Sequence, residues 1–154
     1  MEIADLISTD SVIADLRATS KKQALQDLSQ KAAAITGLHE RAIFDVLMER
    51  ERLGTTGVGN GIAIPHGKMA NLDRLYGLFA RLERPIDFQS IDERPVDLIF
   101  LLLAPETAGA DHLKALARVS RLLRDKNICE KLRGTDEVEA LYALLTEAAA
   151  NQAA

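Results

Sequence analysis

Apolar residues recur along this chain with two different periods, one suited to strands and one to helices. Near the start, Val12, Ile13 and Leu16 form a short apolar group that predicts a first strand. Ser20 stands where an N-cap belongs, and Ala24, Leu25, Leu28, Ala32 and Ile35 follow at helical spacing, predicting a helix over 21–36 that Gly37 stops. A second helix is predicted over 40–53, ended by Gly54. Residues 54–61, GTTGVGNG, read as a glycine-rich loop, and IAI at 62–64 as a short strand running into Pro65. Further strands are predicted at 75–82 (LYGLFARL) and 96–104 (VDLIFLLLA). The second of these is apolar at nearly every position, as a strand buried on both faces is. Helices over 111–124, 127–132 and 136–148 follow, the last capped by Thr135, and 149–154 read as a frayed, disordered tail. Strands alternating with helices, with one strand covered on both sides, predict an α/β sandwich.

No linker, composition shift or repeat divides the 154 residues, so one domain is expected over 1–148. Net charge is −4, and there are two Tyr, four Phe and no Trp. That excludes a chain held on nucleic acid by clustered cations or base-stacking aromatics. The longest clean apolar run, 98–104, is far short of the roughly 18–20 residues a membrane span needs. Acidic residues at 2, 5, 10 and 15 leave no room for a leader peptide. A single cysteine, Cys129, rules out an internal disulfide and reads as core packing. A cytosolic protein is expected.

The candidate chemistry centres on GVGNGIAIPHGK, residues 57–68. Its glycines form neither a P-loop, lacking the Gly-Lys-Ser/Thr end, nor a dinucleotide fingerprint, since they follow a helix and lead into a strand. Pro65 stiffens the chain before His66, and Gly67 is expected to let it turn sharply afterwards. His66 is thus held rigid at a strand end. His39 and His112 are not at paired ligand spacing with it, so no metal site is expected, and no Gly-x-Ser-x-Gly supplies a serine nucleophile. What remains is His66 as a general base or as a nucleophile, for instance toward phosphorus. On the second helix, Arg50 falls on the stripe of Ile43, Val46 and Leu47, while Glu49, Glu51 and Arg52 point elsewhere. Arg50 could reach a phosphoryl group or simply cap the helix end. His112 lies at the edge of a stripe formed by Leu113, Leu116, Ala117, Ser120 and Leu123, with Asp111 as a candidate N-cap. It could donate near an anion, although Asp111 beside it would oppose one. His39 reads as surface or capping.

Taken together, RERLGTTGVGNGIAIPHGK (50–68), PVDLIFLLLAP (95–105) and DHLKALARVSRLLRD (111–125) resemble the EIIA domains of the bacterial phosphoenolpyruvate-dependent phosphotransferase system. The likeness is to the fructose/mannitol-type superfamily, and within it to the nitrogen-related EIIA-Ntr branch, over residues 3 to 145. It implies a mixed β-sheet flanked by helices on both faces. It implies that His66 accepts a phosphoryl group on its tele nitrogen from HPr or its nitrogen-branch counterpart NPr, without a cofactor. It also implies that Arg50 and His112 complete the site, with Thr56, Gly67 and loop N–H groups helping to hold the phosphate. The expected role is a regulatory phosphocarrier whose charge state tunes partner binding. A sugar-transport EIIA that feeds a EIIB domain, a binding module indifferent to phosphorylation, and a hydrolase with His66 as base are the competing readings.

Overall fold

The computed structural model describes residues 1–153. Two 3-10 turns, Ile3–Asp5 and Thr9–Ser11, lead into β1 (Val12–Leu16), α1 (Lys21–Thr36) and α2 (Glu40–Arg52). Then come β2 (Gly57–Gly59), β3 (Ile62–Ala63), β4 (His66–Met69), β5 (Tyr76–Ile86) and β6 (Val96–Pro105). The chain closes with α3 (Ala110–Leu123), α4 (Lys126–Arg133) and α5 (Val138–Ala153).

The sheet runs β1-β5-β6-β3-β2, with β4 also paired to β6. β5 and β6 are antiparallel, whereas β1 lies parallel to β5 and both β3 and β4 parallel to β6, so the sheet is mixed. β6 is its central wall. Ile99, Leu101 and Leu103 face a core shared with α1 and α2, while Leu98, Phe100 and Leu102 face one shared with α3, α4 and α5. All six are essentially inaccessible. Two-sided burial explains the unbroken apolar run, and helices cover both faces of the sheet as expected.

The helix ends follow local chemistry. Ser20 accepts from the Gln23 N–H at 3.1 Å and Gly37 takes the left-handed conformation at the far end of α1. His39 caps α2 through Nδ1, which accepts from the Arg41 N–H at 3.1 Å. Asp125 accepts from the Asn127 and Ile128 N–H groups at the start of α4.

Several expectations are corrected. The stretch 54–61 is not all loop: β2 pairs with β3 around a tight turn in which Asn60 and Gly61 both have positive φ, as two-residue hairpins require. The sharp turn expected after His66 is instead a strand. Ile62 pairs with Leu98 and His66, four residues on, with Leu102, also four on, so β3 and β4 are one strand in one register, broken at Pro65. Proline has no N–H to give, yet its carbonyl still accepts from Leu102 N–H at 2.9 Å. β5 continues to Ile86, four residues beyond the prediction. α5 begins at Val138, and Thr135 forms a turn with the Glu137 N–H (3.3 Å) rather than capping it. That helix runs through 149–153, the stretch expected to be disordered, because Ala149 is buried in the second core. Ala154, the end of that tail, lies outside the described residues.

Candidate active site

His66 opens β4, and its two ring nitrogens have different partners. Nδ1 lies 2.8 Å from the carbonyl oxygen of Ile64, two residues earlier on the same broken strand. Nε2 lies 3.3 Å from the Nε–H of Arg50. A carbonyl can only accept and a guanidinium can only donate, so Nδ1 carries the proton and Nε2 keeps its lone pair. Arg50 is held in turn by the Gly54 carbonyl, which accepts from its Nη1 at 2.9 Å. Burial lowers the His66 pKa below the ordinary 6.5, and the Arg50 charge lowers it too, against the opposing pull of the Ile64 carbonyl and Glu51. The ring is therefore a neutral imidazole with its unprotonated nitrogen aimed at a cation.

Gly67 explains how α2 comes so near. It is buried in β4, and a Cβ there would collide with Cγ1 of Val46. It serves close packing of strand and helix, in place of the bend expected of it.

His112 arrives from the other side of the sheet. It sits in the first turn of α3, only 7% exposed, with its ring edge-on to that of His66 at 5.8 Å between centroids. Its Nε2 has no hydrogen-bond partner among the described residues. Burial lowers its pKa as well, helped by His66 and Lys68. The stripe expected on this helix is rotated: the buried face is His112, Ala115, Val119, Leu122 and Leu123, and Leu113 is 69% exposed. Ala115 and Val119 face inward while Leu113 faces solvent, so apolar bulk alone does not mark the inward face. Asp111 is not the N-cap either; Gly109 holds that place and Asp111 is exposed in the first turn.

Thr56 is placed differently from expectation. It is buried, and its hydroxyl donates to Glu51, whose other oxygen accepts from the Thr56 N–H at 3.0 Å. The sequence expectation turns Glu51 away from the apolar stripe, yet its side chain is 4% exposed and forms an ion pair with Lys21 Nζ at 2.8 Å. The signal was in the spacing: Glu51 stands four residues after Leu47 and eight after Ile43, on the face α2 buries. A carboxylate on such a face is paired or it is not buried. Among the described residues, no group of three or more His, Cys, Asp or Glu side chains could hold a metal ion, and no helix is long and apolar enough to cross a membrane.

The arrangement is a neutral imidazole with a free lone pair, a cation held on that lone pair, and a second buried imidazole with a ring nitrogen to spare. Known proteins share its frame. Residues 5–148 match the family described as "Phosphoenolpyruvate-dependent sugar phosphotransferase system, EIIA 2". A nitrogen regulatory protein of Bradyrhizobium diazoefficiens is 60% identical over 145 residues, covering 94% of this chain and 95% of its own. One of Escherichia coli K12 is 39% identical over 148 residues, covering 96% and 91%. The crystal structure of nitrogen regulatory protein IIA-Ntr from Neisseria meningitidis superposes with a TM-score of 0.89 at 34% identity, covering 94% of this chain and 99% of that one. Sequence, fold and nearly full mutual coverage agree, and the chain belongs to the EIIA 2 family of the phosphoenolpyruvate-dependent sugar phosphotransferase system.

Proposed function

We propose that this protein is a regulatory phosphocarrier of the nitrogen-related phosphotransferase system. His66 Nε2 accepts a phosphoryl group from the phosphohistidine of HPr or NPr, and the resulting charge controls binding to target proteins. The observation that carries this reading is the division of labour between the His66 nitrogens, with Nδ1–H on Ile64 and Nε2 free to react beside Arg50. As the Nε2 lone pair attacks phosphorus, the donor's P–N bond breaks and its electron pair returns to the donor imidazole. The attacking ring becomes positive, and the Ile64 carbonyl stabilises that charge at Nδ1–H. Arg50, no longer able to donate to Nε2, turns its planar fork to the phosphoryl oxygens. His112, whose ring lies edge-on to that of His66 and whose Nε2 is unpartnered among the described residues, donates to a further oxygen. One P–N bond is exchanged for another, so positioning and charge stabilisation suffice. Thr56 and Gly67 act from behind the site, through Glu51 and Val46.

Two relatives named for nitrogen regulation, aligned over more than nine-tenths of this chain, favour the regulatory reading over a sugar-transport EIIA. The reading places the protein in the cytosol beside its donor. The test is transfer itself, with phosphoenolpyruvate, the nitrogen-branch first enzyme and NPr (or their general counterparts) supplied to wild-type and His66→Ala protein. One acid-labile phosphate by mass, absent from the variant, is the expected result. No phosphate from donors shown to be active would overturn it.

A further inference from the structure

We propose that Glu51 is a positioning residue for phosphoryl transfer, holding in place the partners of both His66 nitrogens through Thr56 and the 54–57 loop. The inference rests on the phosphocarrier reading and deepens it.

The connections run in two directions from one carboxylate. Arg50 and Glu51 are neighbours in the last turn of α2, one turned to the site and the other inward. The chain leaves the helix with the Gly54 N–H on the Glu51 carbonyl (3.1 Å), and the next carbonyl, that of Gly54, receives Arg50. Two residues on, Thr56 is tied to the Glu51 side chain by both its N–H and its hydroxyl. The stretch from 51 to 56 is therefore closed into a loop by its own carboxylate, and Gly54 sits inside it. In the other direction, the Thr56 carbonyl accepts from the Ile64 N–H at 3.0 Å, and the Ile64 carbonyl accepts from His66 Nδ1 at 2.8 Å. Glu51 thus stands behind the Gly54 carbonyl that steadies Arg50 and behind the Ile64 carbonyl that fixes the imidazole.

The anchor is well braced. Lys21, the first residue of α1, meets Glu51 at 2.8 Å with its own side chain only 14% exposed, and lies over the Phe88 ring at 4.8 Å. The Phe88 carbonyl accepts from the Thr55 hydroxyl at 2.9 Å, so the same loop is pinned at a second point. A carboxylate buried on a helix face, engaged by three donors, is more than helix-end capping requires. Misplacing a reacting group by a fraction of an ångström lowers the rate of a positioned transfer without abolishing docking of the donor protein.

The experiment compares Glu51→Gln, Thr56→Val and Thr56→Ser with wild type in transfer from phosphorylated NPr, after circular dichroism has shown that each variant is folded. The expected result for Glu51→Gln and Thr56→Val is a fall of about tenfold or more in rate at saturating NPr, with KM changed less than about twofold. Thr56→Ser, which keeps the hydroxyl, returns most of the rate. Leu145→Ala, a core change in α5 away from the site, lowers thermal stability and leaves the rate per folded molecule unchanged. Proton–nitrogen NMR of the His66 ring supplies a readout independent of donors: the Nδ1–H signal broadens or disappears in the two slow variants. Folded Glu51→Gln and Thr56→Val proteins that transfer at the wild-type rate and keep that signal overturn the inference while leaving the phosphocarrier reading intact. A wild-type protein that takes no phosphate overturns both.

Discussion

At the scale of single residues, the site holds two histidines in surroundings that oppose their protonation. Burial lowers the pKa of both His66 and His112, and Arg50 and Lys68 respectively oppose their protonation. The unfolded chain, with ordinary imidazoles, then binds protons more readily than the folded one. Stability rises with pH wherever the unfolded state holds more protons, so it is complete above about pH 6.5 and declines as the pH falls below it. NMR titration of the ring carbons is expected to give both midpoints below 6.5, and urea unfolding to give a lower midpoint at pH 5.5 than at pH 7.5. A His66 midpoint above 6.5 would mean that the fold favours the protonated ring, contrary to the burial and the Arg50 charge around it. Much of this was legible beforehand. His66 was singled out by Pro65 and Gly67, and Arg50 by its place on an apolar stripe. Glu51 was not, because a glutamate among Glu49, Arg52 and other charges reads as solvent-facing until its partners, from 30 residues upstream and five downstream, are placed beside it.

At the scale of elements, the decisive contact is α2 against β4. Because a side chain at Gly67 would occupy the place of Val46, Gly67→Ala is expected to cost about 1–3 kcal/mol, the range for overpacking a core. That corresponds to a fall of several degrees in melting temperature for a chain of this length. Val46→Ala, itself mildly destabilising, is expected to recover part of the loss in the double variant, which a thermal-denaturation double-mutant cycle measures directly. Additive losses would show that the two side chains do not compete. The long elements were readable because their periodicity persists over several turns or residue pairs: α1, α2, β5 and β6 lie where expected to within a few residues. The short ones were not. β2 has three residues, two of them glycine, and β4 begins directly after a proline, so neither shows alternation or propensity, and only pairing with β3 and β6 makes them strands. The face of α3 differs from the expected one because Ala115 and Val119 are buried while the bulkier Leu113 is exposed, so apolar bulk does not point inward there.

At the scale of the whole molecule, β6 serves both cores at once, with alternate side chains on each side of the sheet. Loss of one of its large side chains is therefore felt throughout. Phe100→Ala, at a position with no solvent exposure, is expected to cost about 3–5 kcal/mol and to do so in one cooperative urea transition followed identically by far-ultraviolet circular dichroism and by a probe near His66. Two separated transitions would show that the α1–α2 layer and the α3–α5 layer unfold independently. The site depends on their remaining joined, because Arg50 comes from one layer, His112 from the other, and His66 from the sheet between them.

The acceptor that decides which nitrogen of His66 keeps its lone pair is a main-chain carbonyl, that of Ile64. No side-chain substitution deletes it. On the proposed mechanism, a complete alanine scan would find His66, Arg50 and His112, yet pass over the group that sets the tautomer. The choice of tautomer is inherited with the path of the backbone, and drift at position 64 can exchange one side chain for another without touching the atom that fixes the ring.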